Sequence, residues 1–393
     1  MATRLWAALL GAALLGGGAA RADIAVSSND GHTVLKDGVQ VAPDPVLPDT
    51  ISVIDLSQPT PRVVATAEVP GSVVGPPWAV WVAPDETWCI VTAATKADPG
   101  GTGGISPDNR VSVVDLTATP PRIVQSLTAG MGATSVRVSP DGTLALIANR
   151  AAGTVSVFAV KDKRLTAAGT VEFGSPKGGA SGVAFSKDGR TALVSRDSDD
   201  AVSVLHIDGA KVTVDPRVIS AGVRPYAVDV NAAGTLAVVG AVGRGDGDVD
   251  TVSLIDLTAT PYRTVETVAV PNGPEGLKLS PDGAYLAVGS QDGTPKAPHT
   301  TFWHEHGTLS LFAVGGDTGH GIAPEQHHLR LVTQAPVGGW SQGIAFARDG
   351  RTILVQSMAA HEIEVFGWDG TTLTPRAPIP VQGGAAAIRT SWP

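Results

Sequence analysis

Four charged residues share one aligned position of a repeated sequence pattern, and together they could bind an anion. They are Arg137, Asp229, Lys278 and Arg389, while Trp81, Ala184 and Ala345 hold the same position in the other copies. The neighbouring residues are mostly apolar, so the alternation of side chains along a strand places the charged set on one face. Three cations against one carboxylate suit a carboxylate or phosphate ligand in a low-dielectric cleft.

A histidine-rich segment could chelate a transition metal. His304 and His306 are separated by Glu305, so in an extended segment both imidazoles share one face. This spacing suits zinc or copper, with His361 or His32 as a further ligand. The alternative is a set of exposed histidines that bind no metal.

An acidic segment begins like a calcium-binding loop, with Asp246, Asp248 and Asp250 at alternate positions. The EF-hand pattern then requires Gly at its sixth position and Glu at its twelfth, where this chain has Thr251 and Leu257. A structural calcium ion at the three aspartates and a solvated acidic turn are both open. No catalytic residue can be assigned, because no acid–base pair recurs at a spacing that chemistry demands.

A short turn that recurs six times predicts the strands that position these residues. Proline presets φ in three copies, while in five of the six Asp accepts hydrogen bonds within the turn and in five Gly takes the left-handed position. Each turn joins two runs in which Val, Ile or Leu alternates with Ser or Thr, which is typical of half-buried strands. The turns lie at residues 83–86, 139–142, 186–189, 231–234, 280–283 and 347–350.

Aligning the chain on these turns gives four strand types, A to D, with seven copies of each. The seventh strand A lies at residues 386–391 and the seventh strand B at residues 24–28, at opposite ends of the chain. Four short strands per repeat predict an all-β fold, a single seven-bladed β-propeller over residues 23–393. We expect the C-terminal strand to pair with the N-terminal strand and close the ring, which removes open sheet edges.

The repeats resemble the seven-bladed YVTN-repeat, surface-layer-type propellers and the related lactonase-like propellers. The residues that carry the resemblance are Leu-Ile-Ala-Asn at 146–149, Thr-Val-Ser-Val at 154–157 and the Ser-Pro-Asp-Gly turns. It covers essentially all of residues 23–393, and it implies the propeller fold and a hydrolase or isomerase acting on a sugar lactone or sugar acid. These are scaffold residues, so the activity has to be argued from a site.

Long insertions are expected at one end of the propeller channel. In a propeller the B–C and D–A loops share one face, and the A–B turns share the other with the C–D loops. Asn149 and Arg196 are the last residues of two B strands, so we expect them at the B–C rim of the channel. The residues two positions before the charged set are small, which predicts room for a ligand at this end. The long B–C insertions, where function is often located, span residues 31–48, 95–109, 241–249 and 291–306.

The N-terminal residues read as a secretory signal. Arg4 precedes an apolar run, and Ala20-Arg21-Ala22 matches a cleavage site, so the mature chain is expected to begin at Asp23 in the periplasm or outside the cell. The net charge is −9, and it becomes more negative once Arg4 and Arg21 are removed. This excludes a nucleic-acid partner. No later segment predicts a membrane span, and we expect a monomer.

Three functions follow from these observations. The first is an exported propeller that recognises a small anion or a protein partner, through its channel and B–C face. The second is the lactonase-like hydrolase or isomerase that the resemblance implies. The third is a metal-binding protein centred on His304 and His306.

Overall fold

The computed structural model describes residues 23–174, 179–315 and 328–392, which form thirty β-strands and no helix. The strands make seven four-stranded antiparallel sheets and one small hairpin. The inner strand of each sheet contacts the inner strands of the two neighbouring sheets, and these contacts run round a complete ring. The predicted seven-bladed all-β propeller is therefore confirmed.

The blades follow the chain, and each uses its strands in the order A to D from the channel outward. Blade 1 contains β30 (Gly384–Thr390), β1 (Ile24–Asp30), β4 (Thr50–Asp55) and β5 (Arg62–Glu68), while β2 (Val34–Lys36) and β3 (Val39–Val41) form the hairpin. Blade 2 contains β6 (Val80–Val82), β7 (Trp88–Thr102), β8 (Ile105–Asp115) and β9 (Arg122–Thr128). Blade 3 contains β10 (Ala133–Val138), β11 (Leu144–Asn149), β12 (Thr154–Lys161) and β13 (Arg164–Glu172).

The remaining blades repeat this arrangement. Blade 4 contains β14 (Ala180–Phe185), β15 (Thr191–Arg196), β16 (Ala201–Asp208) and β17 (Lys211–Ile219). Blade 5 contains β18 (Pro225–Val230), β19 (Leu236–Ala241), β20 (Val249–Asp256) and β21 (Arg263–Pro271). Blade 6 contains β22 (Pro274–Leu279), β23 (Tyr285–Ser290), β24 (Gly307–Val314) and β25 (Leu329–Val337). Blade 7 contains β26 (Ser341–Phe346), β27 (Thr352–Ser357), β28 (Glu362–Trp368) and β29 (Leu373–Pro380).

The two ends of the described chain close the ring in blade 1. Strand β30 pairs antiparallel with β1, from Ala25 opposite Thr390 to Asp30 opposite Gly384. Asp23 joins this closure, because its Oδ2 accepts the Arg348 backbone N–H at 2.7 Å. The predicted pairing of the C-terminal strand with the N-terminal strand is confirmed, and it leaves β1 without a free edge.

The A–B turns have the predicted chemistry. In the second turn Asp141 Oδ1 accepts the Ser139 hydroxyl at 2.5 Å and the Thr143 N–H at 3.1 Å, while Gly142 has φ of 74°. Glu86 takes the same left-handed conformation in the one turn that has no glycine, with φ of 60°. Its carboxylate accepts the Ser391 hydroxyl at 2.7 Å, which ties blade 2 to the closing segment of blade 1.

A β-bulge distorts the start of the inner strand in six blades, where the hydrogen-bond register shifts. In a bulge two successive residues oppose one partner residue, which interrupts the alternation of faces. One additional residue per strand therefore faces the channel. Together with Trp78 of blade 2, these residues form the upper ring, which lies toward the B–C end: Trp78, Thr134, Ser181, Tyr226, Glu275, Gln342 and Ala386.

The B–C insertions contact one another on a single face of the propeller, as predicted. The 31–48 insertion donates a hydrogen bond from Ala42 N–H to Gly103 O of the β7–β8 hairpin, at 2.7 Å. Its Gly38 packs so closely on the 291–306 insertion that a Cβ there would lie 2.7 Å from Ala297 N. Lys296 in turn donates to Gly245 O in the 241–249 insertion, at 3.0 Å. The 95–109 segment was predicted as a loop, but most of it extends β7 and β8.

The β2–β3 hairpin covers part of the B–C end of the channel. Leu35 packs with an apolar cluster that includes Trp340, Met358 and the upper-ring residue Ala386. The insertion of blade 1 therefore covers part of the B–C end of the channel.

The predicted signal peptide, residues 1–22, lies outside the described residues. Within those described, the structure has no helix that could cross a membrane.

Candidate functional site

A cavity of about 450 Å³ lies in the channel, and residues of four A–B turns help to line it: Pro84, Pro140, Lys187 and Ala232. It is therefore at the A–B end of the channel, and not at the B–C end where the sequence predicted room for a ligand. Five members of the aligned set line this cavity with charged or aromatic side chains, and we call these five residues the lower ring. They are Trp81, Arg137, Asp229, Lys278 and Arg389.

The small residues next to the lower ring explain why the room is not at the B–C end. A Cβ on Gly276 would lie 2.0 Å from the carbonyl oxygen of Gln342, and one on Gly182 would lie 2.7 Å from that of Tyr226. These small residues allow neighbouring inner strands to approach each other. They narrow the channel, whereas the sequence analysis expected them to widen it.

Trp78 blocks the channel between its two ends. It is 1% exposed and packs in the same apolar cluster as Ala227 and Leu277, which belong to blades 5 and 6 across the ring. The guanidinium groups of Arg137 and Arg389 lie 4.1 and 3.8 Å from the centroid of its ring. The indole therefore lies behind the two guanidiniums that line the cavity, and its π-face stabilises two cations that would otherwise repel each other.

Arg137 and Arg389 have hydrogen-bond donors with no partner. Arg389 is 6% exposed, and its Nε and Nη2 atoms are buried and unpaired, as is Nη2 of Arg137. Among the residues that the structure describes, no carboxylate forms an ion pair with either guanidinium. Burial lowers the pKa of Arg137 to about 10, against the opposing effect of Asp229, so the group is still charged at neutral pH.

Lys278 and Asp229 form a buried pair in the same cavity. Lys278 Nζ lies 2.9 Å from Asp229 Oδ2, which also accepts the Leu279 N–H at 3.1 Å. Burial lowers the pKa of Lys278, and Asp229 opposes this shift. Because these two charges cancel, the surplus positive charge of the cavity comes from Arg137 and Arg389.

The B–C end of the channel has a second polar group, which the sequence analysis missed. Gln342 Nε2 donates to Glu275 Oε2 at 3.2 Å, and the Arg150 guanidinium lies 5.6 Å from the centroid of the Tyr226 ring. Asp197 holds Arg150 at 2.6 Å. The available signal was one aligned column that contains Trp78, Tyr226, Glu275 and Gln342, but strict alternation assigned that column to the opposite face.

The two predicted rim residues lie away from the cavity. Asn149 is fully buried, and its amide donates to the Thr154 and Ser156 hydroxyls at 3.0 and 2.9 Å, so it joins strands β11 and β12. Arg196 pairs with Asp199 at 3.1 Å. Both side chains stabilise their own blades.

Metal binding at the two predicted sites stays a prediction. His304 Nδ1 lies 3.0 Å from Asp292, and among the described residues His304, His306 and His361 do not form a group of three whose ligand atoms lie within 4.8 Å of one another. Asp246, Asp248 and Asp250 do not form a cluster either, and Asp250 accepts the Asn272 amide and the Gly273 N–H at 2.9 and 2.7 Å. His304 and His306 belong to the 291–306 insertion and His361 to a turn of blade 7, and the sequence pattern could not specify how these two loops lie relative to each other.

Asp30, His32 and Asp49 lie within 4.8 Å of one another and could be considered for a metal. His32 Nδ1 lies 2.7 Å from Asp49 and 3.1 Å from Asp30. Every carboxylate oxygen of the two aspartates already accepts a backbone N–H. This arrangement fits an ion-paired clamp that fixes the 31–48 insertion.

Glu275 should make the stability of the protein depend on pH. Burial raises the pKa of Glu275 to about 7 from an ordinary value of 4.5. Between these values the folded protein keeps a proton that the unfolded chain has lost, so this group's effect on stability becomes less favourable as pH rises from about 4.5 to 7. We compare the free energy of unfolding of Glu275→Gln with that of wild type at each pH. The difference between variant and wild type should be about 3 kcal/mol more favourable to the variant at pH 8 than at pH 4, at 1.36 kcal/mol per pKa unit.

Urea unfolding of wild type and variant from pH 4 to 8 measures this difference. The exposed Glu68→Gln change is the matched control and should leave the profile unchanged. Parallel profiles for wild type and Glu275→Gln would show that Glu275 titrates normally.

Comparisons with solved structures find the same propeller fold in other proteins. A periplasmic gluconolactonase, PpgL, of Pseudomonas aeruginosa is 18% identical, with a TM-score of 0.68, over 95% of this chain and 100% of that chain. A candidate 6-phosphogluconolactonase of Bacteroides uniformis is 16% identical, with a TM-score of 0.69, over 94% and 99%. A functionally unknown protein of Desulfotomaculum acetoxidans is 15% identical, with a TM-score of 0.65, over 94% and 99%.

At these identities the likeness establishes the fold and not the activity, and it agrees with the resemblance found in the repeats. No protein-family model and no curated protein matches the chain.

Proposed function

We propose that the protein is an exported propeller that binds a small organic anion in the cavity at the A–B end of its channel. The observation that carries this proposal is the set of buried, unpaired N–H donors on Arg137 and Arg389. A buried donor without an acceptor costs about 1–3 kcal/mol, and more when the group is charged. A bound anion would supply the missing acceptors and neutralise the surplus charge.

The surroundings favour an anion over a neutral ligand. The Lys278–Asp229 pair adds no net charge, so the two guanidiniums set the sign of the potential. The two guanidiniums are largely buried, which weakens the screening by water and strengthens the attraction between a guanidinium and an anion. The protein as a whole is acidic, so this positive potential is confined to the cavity.

Anions should stabilise wild-type protein but not a variant without the two arginines. We expect benzoate or phosphate, at constant ionic strength, to raise the melting temperature in proportion to the logarithm of anion concentration. Arg137→Met with Arg389→Met should remove this shift, because hydrogen bonds to charged groups contribute about 1.5–3 kcal/mol each. Differential scanning calorimetry measures the effect.

Arg263→Met is a suitable control, since this side chain is exposed and lies 4.0 Å from its nearest carboxylate. It removes one positive charge outside the cavity and should leave the anion effect intact. An equal shift in all three proteins would mean that the anions act on the general surface, and the proposal would be wrong.

Lactone hydrolysis is the second candidate function. It is favoured by the polar group at the B–C end, where the Glu275 carboxyl has a pKa of about 7 and Arg150 is held by Asp197. A carboxylate with such a pKa is suited to take a proton from water that attacks a lactone carbonyl. A guanidinium can stabilise the oxyanion that forms.

A pH-stat assay with glucono-δ-lactone tests this second function. The second function is supported if wild type hydrolyses the lactone faster than the uncatalysed rate and if the enzymatic rate falls at least 100-fold in Glu275→Gln. The rate of the Glu68→Gln control should equal that of wild type. A wild-type rate equal to that of buffer would exclude this substrate, and an unchanged rate in Glu275→Gln would exclude Glu275 as the base.

A further inference from the structure

Three polar side chains at the mouth of the cavity are already engaged in hydrogen bonds. Ser139 donates to Asp141 and accepts the Leu144 N–H, at 2.5 and 3.0 Å. Ser186 makes the equivalent pair of bonds in the third A–B turn. The Asn231 amide bonds to Thr235 and Leu236 in the fourth turn. These residues line the cavity, but their hydrogen-bonding groups serve the turns.

Most of the remaining wall is apolar or aromatic, although Lys187, Thr390 and Ser391 also line the cavity. Trp81 is fixed edge-to-face against Trp88, with ring centroids 4.9 Å apart. Other lining residues present aromatic, aliphatic or proline surfaces. Such walls can bury an apolar ligand body, and each methylene removed from water adds to affinity. They are Val82, Pro84, Val138, Pro140, Phe185, Val230 and Trp392.

The polar floor has the geometry of a carboxylate site. Nε and Nη2 lie on the same edge of the Arg389 guanidinium, and both are unpaired. That edge can donate two parallel hydrogen bonds to the two oxygens of one carboxylate. Nη2 of Arg137, against the same indole, can donate a third.

We propose that the ligand of this cavity is a carboxylate with an apolar aromatic or aliphatic body, an inference that rests on the proposed function. The carboxylate lies at the Arg389 and Arg137 donors beside Trp78, and the body extends along the Trp81 wall toward the A–B turns. A polyhydroxylated sugar acid fits less well, because most of its hydroxyls would face apolar walls or turn side chains that are already hydrogen-bonded, and among the described lining residues only Lys187 and Thr390 add polar groups to the wall. Selectivity among carboxylates should therefore follow the apolar area of the body.

Isothermal titration calorimetry with four probes tests the proposal. The probes are 3-phenylpropionate, the neutral alcohol 3-phenylpropanol, gluconate and inorganic phosphate. We expect 3-phenylpropionate to bind at least ten-fold more tightly than gluconate or phosphate, and the alcohol to bind at least ten-fold more weakly than 3-phenylpropionate. If no anion binds, the proposed function fails. If gluconate binds as tightly as 3-phenylpropionate, anion binding stands and the inference about the apolar body is wrong.

Two wall variants separate the body from the head group. Trp81→Ala should weaken the binding of 3-phenylpropionate about ten-fold and leave the affinity for phosphate unchanged. Val230→Thr is nearly isosteric and places a hydroxyl on the wall. It should reduce the ratio of the affinities for 3-phenylpropionate and gluconate. This variant tests the wall even if Trp81→Ala misfolds. Equal losses for 3-phenylpropionate and phosphate in Trp81→Ala, or an unchanged preference in Val230→Thr, would contradict the assignment of the body to this wall.

Discussion

Deletion of residues 386–393 is expected to abolish cooperative folding. The deletion removes most of β30, which pairs with β1 along its whole length. It would expose the backbone of β1 as a sheet edge, and an exposed edge promotes aggregation. It would also uncover the apolar cluster that contains Ala25, Ala345 and Ile388. Seven blades fill the ring only when blade 1 is complete, so we expect the truncated protein to lack a cooperative transition in urea.

Circular dichroism and size-exclusion chromatography of the truncated protein measure this loss. A synthetic peptide of residues 384–393 should restore the transition by adding the missing strand, and a scrambled peptide should not. A truncated protein that unfolds at the wild-type urea midpoint would show that the closing strand contributes little to stability.

Replacing Trp78 by alanine is expected to cost about 3–5 kcal/mol of unfolding free energy, the range for loss of a large buried aromatic side chain. Trp78 is 1% exposed and spans the channel from blade 2 to blades 5 and 6. Its loss also leaves the Arg137 and Arg389 guanidiniums without the aromatic ring against which both lie. Repulsion between the two cations adds to this penalty, and because both are buried the penalty should change little with ionic strength.

Urea denaturation at low and high sodium chloride concentration checks both parts of this expectation. Trp303→Ala is a matched control, because Trp303 is only half-buried in the 291–306 insertion and should cost much less. A loss below 1 kcal/mol for Trp78→Ala would contradict the role of the indole as the packed centre of the channel behind the two arginines.

The blades, their order and the closure of the ring could all be predicted from the amino-acid sequence. These properties depend on local chemistry: Asp and Gly form each A–B turn, and alternation of apolar and polar residues defines the strands beside it. Counting back from the turn also identified the lower ring, because side chains alternate regularly near the turn. Arg137, Lys278, Asp229 and Arg389 therefore line one cavity in the structure as their spacing indicated.

The tertiary structure alone decided which end of the channel is open and which side chains face it. The bulges that bring Tyr226, Glu275 and Gln342 to the upper ring arise from pairing between strands, so strict alternation assigns these residues to the wrong face. Packing between insertions of different blades roofs the B–C end, and Trp78 reaches residues more than a hundred positions away in the chain. Both outcomes depend on contacts between distant segments, which local periodicity does not encode.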